Sequence, residues 1–146
     1  MRKRGVLATE IQVQVPFHEI DVMEVVWHGH YVKYLQVARD ALLARIGYGY
    51  DAMRADGFAW PVVDMQLRYV RPAVLGQLLT VRAELIEWES RVLINYLVSD
   101  AQSGTRLTRA TTTQVALNVA AREMLFITPE PLVRAIEGAL AAQTEA

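Results

Sequence analysis

The stretch that decides the fold is Tyr31-Val32-Lys33-Tyr34-Leu35-Gln36-Val37-Ala38-Arg39-Asp40-Ala41-Leu42-Leu43-Ala44-Arg45-Ile46. Apolar residues hold nearly every position, and Lys33, Gln36 and Arg39 recur every three residues as one thin polar stripe. That is a helix, and a helix apolar on most sides must be enclosed by something. Gly47 and Gly49 close it with the left-handed or flexible backbone that helix ends favour. The segment Asp51 to Asp56 adds a short helical turn.

On both sides of this helix the period changes to two. Upstream, Glu10 to Phe17 alternates polar and apolar residues until Pro16 stops it, as a strand with one buried face does. Downstream, Val63, Met65, Leu67 and Tyr69 alternate with polar residues as far as Pro72. Leu79, Val81, Ala83 and Leu85 do the same, and so do Val92, Ile94, Tyr96 and Val98. Leu107 to Val119 reads as one long strand rich in threonine and valine. The connections near Gly76, at Glu87–Ser90 and at Asp100–Gly104 are short and suit antiparallel neighbours. Thr128 and Pro129 are the expected N-cap and first residue of a C-terminal helix. The order predicts an α+β protein: a five-stranded antiparallel sheet curled around one long central helix. Other α+β arrangements share this periodicity.

The chain has 146 residues, 53% of them hydrophobic, with a net charge of −1 and no cysteine. One domain over 1–146 accommodates this length, with no linker or repeat to divide it. The apolar content calls for a large core or a face buried on another subunit. A near-neutral charge offers no field for nucleic acid. The absence of cysteine removes disulfides, thiolate metal sites and cysteine nucleophiles together. No apolar run reaches the roughly 18 residues of a membrane span, so the cytoplasm is the expected compartment. Met1 to Arg4 is expected to be a solvated basic terminus.

Between the first strand and the helix lies an irregular segment holding His18, Asp21, Glu24, His28 and His30. All three histidines of the chain fall within it. Amides at a helix start are unpaired and polarise a carbonyl placed there, so those around His28 and Gly29 are candidate oxyanion donors. Asp21, seven residues before His28, would then attack a carbonyl or serve as general base. An Asp before a helix is also a common capping or turn residue. His28 and His30 form a His-x-His pair without a regularly spaced third ligand, so no metal and no cofactor is expected. Trp27, Trp60 and Met65 suggest an apolar pocket, or ordinary core.

Phe17-His18-Glu19-Ile20-Asp21 followed by Val25-Val26-Trp27-His28-Gly29-His30-Tyr31 resembles the signature of the 4-hydroxybenzoyl-CoA thioesterase family and its acyl-CoA thioesterase relatives. Tyr69-Val70-Arg71-Pro72-Ala73 is similar to the family's later strand-end motif. The resemblance implies the hot-dog fold and hydrolysis of an acyl-CoA or acyl-carrier-protein thioester. It implies catalytic roles for Asp21 and His28, and substrate contacts at Phe17, Tyr31 and Arg71. It also implies a homodimer or homotetramer with shared active sites, as do the apolar content and the sheet edges that need covering. Arg68, Arg106 and Arg109 are further phosphate candidates beside Arg71.

The chain departs from the family in places. Phe17 stands where relatives often carry Tyr and His30 where they often carry Asn, while Val22-Met23-Glu24 replaces small residues. Lys33 to Ala38 lacks the helix carboxylate of other hot-dog thioesterases and of hot-dog dehydratases, which disfavours a dehydratase. Asp40, the only acid on the helix, is expected to pair with a neighbouring arginine. A non-catalytic acyl-binding protein is the alternative from another class.

Overall fold

A computed structural model describes residues 7–145, and the basic start at Met1–Arg4 lies outside them. In chain order the elements are β1 (Leu7–Gln14), α1 (Tyr31–Arg45), α2 (Tyr50–Asp56), β2 (Phe58–Ala59), β3 (Val62–Tyr69), β4 (Leu78–Glu87), β5 (Val92–Asp100), β6 (Arg106–Gln114), β7 (Ala116–Asn118), β8 (Glu123–Leu125) and α3 (Glu130–Glu145). The five long strands form one antiparallel sheet in the order β1-β4-β5-β6-β3. With α1 laid on it, this is the hot-dog arrangement that the sequence predicts.

Alternation in the sequence becomes a buried face. Leu79, Val81, Ala83 and Leu85 of β4 and Val92, Ile94, Tyr96 and Val98 of β5 are all at or below 3% exposure. Register matches bulk with space: Tyr96 stands between Ala83 on one side and Ala110 on the other. Its hydroxyl shares a 2.7 Å hydrogen bond with Thr112 and accepts one of 3.3 Å from Arg39 Nη1, so the middle of the sheet is tied to α1 by polar contacts inside the core. Helix α1 buries Tyr31, Tyr34, Leu35, Ala38 and Leu42, the spacing of one helical face.

Four expectations change. Helix α1 is not enclosed on every side, because Val32 (39%) and Val37 (52%) remain exposed. The long strand from Leu107 splits at Val115, and β7 leaves the main sheet to join β2 and β8 in a second, three-stranded sheet. Strand β1 ends at Gln14, because Val15 turns its N–H to Gln77 and its carbonyl to Gly76, and Pro16 has no N–H to continue the ladder. Phe17 therefore lies in a short 3-10 turn, Phe17–Glu19, and is exposed. Helix α3 starts at Glu130, and the hydroxyl of Thr128 is buried without a partner rather than capping it.

Leu35 is fully buried at the centre of α1. Leu35→Ala is expected to lower unfolding free energy by about 3 kcal/mol, measured by urea denaturation, since removing the side chain leaves a cavity that a sheet on one side cannot close.

Candidate active site

The segment from Phe17 to His30 is held in a defined shape although it contains no long element. Ile20 and Val26 form an isolated antiparallel bridge, and Val25 forms another with Val74. Between them the chain reverses tightly. Asp21 N–H donates to Val25 O at 2.9 Å, Glu24 N–H to Asp21 O at 3.0 Å, and Met23 N–H to Asp21 Oδ1 at 2.8 Å. Asp21 therefore closes its own turn with one carboxylate oxygen, as Asp commonly does. Glu24 takes the left-handed conformation, φ 65°, that a glycine would hold about 1 kcal/mol more easily. Val22, at the tip, is 98% exposed.

The helix start is equally specific. His28–His30 form a 3-10 turn leading straight into α1, with His30 N–H donating to Trp27 O at 2.9 Å. Among the described residues, the N–H groups of His28 and Gly29 enter no backbone hydrogen bond outside the helix. No side chain caps this end of α1. The indole of Trp27 lies over Gly29 so closely that a Cβ there would overlap the ring. The same indole meets His28 at a ring separation of 5.0 Å and His30, edge-on, at 5.3 Å. His18, as its position suggests, is on the surface.

A third segment completes the enclosure. Beyond β3, Ala73 donates its N–H to Tyr31 Oη at 3.2 Å and accepts from Val26 N–H at 2.9 Å, joining the loop, the helix and the strand end. Together they surround an open pocket of about 240 Å³ whose walls include Asp21, His28, Tyr31, Tyr69, Arg71 and Pro72. Of the residues singled out in the sequence, Asp21, His28, Tyr31 and Arg71 meet here. Phe17 and Gly29 do not line this pocket, and Gly29 lies against the Trp27 indole. Arg68, Arg106 and Arg109 are also absent from its lining. In the sequence Tyr69 stands only as the end of an alternating strand and the first letter of the strand-end motif, with no site role. It donates its hydroxyl to His28 O at 2.7 Å and sets its ring edge-on to Tyr31 at 5.2 Å.

A family profile for the thioesterase-like superfamily matches residues 15–139, which contain all of these elements except β1 and the end of α3. The chain belongs to the thioesterase-like superfamily. A hypothetical protein of Thermus thermophilus is 32% identical, with a TM-score of 0.79, and the match covers 88% of this chain and 97% of that one. A Synechocystis protein provisionally named an esterase is 34% identical over 91 residues, 58% of this chain and 55% of its own length. The Bacillus subtilis protein YneP, provisionally named an acyl-CoA thioesterase, is 33% identical over 66 residues, 45% of this chain and 48% of its own. The chain thus spans about half the length of these two relatives. Among the described residues, no helix is long and apolar enough to cross a membrane.

A larger cavity of this superfamily member, about 860 Å³, opens along the uncovered flank of α1, between Gln36, Arg39, Asp40, Met53, Phe58 and Trp60. Asp40 makes no ion pair among the described residues, contrary to the expectation that it pairs with an arginine. Trp60 belongs to this wall, Trp27 to the helix start, and Met65 to β3, so the three do not share one acyl pocket.

Glu19 was not singled out by the sequence, because a single loop glutamate carries no periodic signal. It is 6% exposed. Lys33 Nζ donates to its Oε2 at 2.5 Å and the Tyr34 hydroxyl donates to its Oε1, so both oxygens are bound by α1. Burial alone would raise its pKa, but the hydrogen bonds from Lys33 and Tyr34 and the lysine's charge outweigh it and hold the carboxyl below its usual 4.5. Tyr34 is correspondingly pushed up, by burial first and then by donating its hydrogen bond to this negatively charged carboxylate.

A lowered folded-state pKa gives stability that is present above the unfolded value and lost as pH falls through the folded one. Glu19→Gln is therefore expected to cost about 1–3 kcal/mol at pH 7. The gap from wild type should narrow as pH drops below 4.5. Urea midpoints of both proteins at pH 7 and pH 3 check this, and a gap independent of pH would contradict it.

Proposed function

We propose that this protein hydrolyses acyl thioesters, carried on coenzyme A or acyl carrier protein, in the pocket between Asp21 and the start of α1. The observation that carries the reading is the meeting of Asp21, His28, Tyr31 and Arg71 around one pocket at a helix start whose first amides are uncommitted. A thioester carbonyl lying there would direct its developing negative charge at the His28 and Gly29 amides, aided by the helix dipole. One oxygen of Asp21 holds the turn, which aims the other. That second oxygen either attacks the carbonyl carbon, expelling the thiolate and leaving a mixed anhydride for water to cleave, or takes a proton from an attacking water. Arg71, exposed at the pocket edge, suits a phosphate of the carrier. The name of YneP supports the coenzyme A thioester as substrate class.

The alternative, an acyl-binding protein without turnover, draws on the same Asp21 hydrogen bond, since a turn-forming Asp needs no catalytic role. Kinetics separate the two. With free thiol followed across aryl and straight-chain acyl-CoAs, the wild type is expected to turn over. Asp21→Asn should lower kcat by roughly a hundredfold or more. His28→Ala should lower it only about tenfold, because the amide stays in place. A wild type that binds acyl-CoA without releasing thiol would establish the alternative.

We also read the protein as a homodimer formed along β3. That strand is a sheet edge with Val62, Val63 and Tyr69 exposed, whereas the opposite edge is partly covered where Arg45 reaches the carbonyl of Ala8. Pairing two β3 strands antiparallel about a two-fold axis at their centre sets Tyr69 of one protomer opposite the partner's Val62. The Asp21 pocket lies at the Tyr69 end and the larger cavity beyond the Val62 end. Each pocket of 240 Å³, small for an acyl group with part of its carrier, would then border the partner's 860 Å³ cavity. Sedimentation velocity at micromolar concentration should show a dimer, and Val63→Lys combined with Met65→Lys should shift it to monomer. A monomeric wild type would end this reading.

A further inference from the structure

We propose that Tyr69 is a positioning residue for the reaction: its hydroxyl fixes the His28–Gly29 peptide so that the amides of the helix start are held ready for a carbonyl oxygen. The inference rests on the thioesterase reading above and assigns a residue that reading does not use.

Three contacts define the arrangement. Tyr69 Oη donates to His28 O at 2.7 Å, across the sequence from the end of β3. The described chain contains no cis peptide bond, so the Gly29 N–H lies opposite the anchored carbonyl in one rigid plane, and fixing one end fixes the other. The neighbouring plane is pinned too, since Trp27 O accepts from His30 N–H at 2.9 Å. The Trp27 indole closes over Gly29, leaving no room for a side chain there. Of the two peptides that carry the His28 and Gly29 N–H groups, one is thus held by the His30 N–H and the other by the Tyr69 hydroxyl, with no side-chain cap at this end of α1.

The hydroxyl has a second effect. A carbonyl that accepts a hydrogen bond polarises its own peptide, and the N–H of that peptide becomes a stronger donor. Donors that are already oriented need no reorganisation when negative charge develops on the carbonyl oxygen, which is where such groups gain their catalytic value. The ring of Tyr69 has a separate task, packing edge-on against Tyr31 at 5.2 Å and His28 at 6.5 Å. Tyr69→Phe therefore removes the anchor while leaving the ring that shapes the pocket wall.

The test compares wild type and Tyr69→Phe on the acyl-CoA with the highest kcat/KM in the thiol-release assay. The same two proteins are titrated with the matching thioether, in which a CH₂ replaces the carbonyl. Positioning of transition-state donors predicts that kcat falls about tenfold, with KM changed by less than about twofold. Thioether affinity should stay level, since that compound has no carbonyl oxygen to meet the amides. Unchanged kcat would overturn the proposal. So would a loss of thioether affinity as large as the loss of kcat, because Tyr69 would then be shaping the pocket alone. A wild type without thioester hydrolysis would remove the functional reading and this inference together, whereas an active wild type with an undiminished Phe variant removes only the inference.

Discussion

The carboxylate of Glu19 is the fixed point on which the loop before α1 depends. Its two oxygens are bound by Lys33 and Tyr34, one turn inside the helix, and its own carbonyl accepts the Trp27 N–H at 3.0 Å. Side chain and main chain of one residue thus join the beginning of the loop to its end and to the helix that follows. The Ile20–Val26 bridge comes immediately after it, and the Asp21 turn is closed inside that bridge. A buried charge is costly unless it is paired and hydrogen-bonded, and here each carboxylate oxygen has a donor, one of them a lysine. If Glu19 were released, Asp21 and the His28 turn would lose the connection that sets their relative position.

Much of the fold is legible in the sequence because it is written in two periods. The five strands of the main sheet and the long helix repeat their pattern over eight or more residues, which is enough to separate a period of two from one of 3.6. Strands β2 and β8 have two and three residues, and no period can be read over that span. The break at Val115 is hidden for a different reason. Threonine and valine favour strand wherever they stand, so composition says nothing about which sheet a residue joins. The exposed flank of α1 also follows from a limit of pattern reading: apolar residues around a helix require cover, but do not say whether the same chain provides it.

The site divides in the same way. Asp21, His28, Tyr31 and Arg71 are recognisable from a spaced signature, and they gather at one pocket. Phe17 belongs to the same signature yet is exposed and does not line that pocket, in a 3-10 turn after a strand that ends at Gln14. Glu19 and Tyr69 act through contacts at sequence separations of 14, 15 and 41, and local spacing cannot encode those. A signal for Glu19 was nevertheless present. Lys33 and Tyr34 are adjacent on a helix, and a carboxylate just upstream is the natural acceptor for both.

Several local conflicts of the chain lie around this pocket. Glu24 holds a left-handed backbone without being glycine, Val22 and Met23 stand exposed at the tip of a turn, and a tryptophan is pressed on a position with no room for a side chain. Across much of the main sheet, sequence and structure agree: strand residues alternate, bulky Tyr96 faces alanines, and the buried side chains of Thr112 and Gln114 find partners. A sequence selected for stability alone would place glycine at 24 and polar residues at 22 and 23. The turn's hydrogen bonds converge on one residue, since Asp21 engages Met23, Glu24 and Val25. Strain at Glu24 and exposure at Val22 thus lie in the turn that fixes the Asp21 carboxylate beside a helix start, the placement on which the proposed chemistry depends.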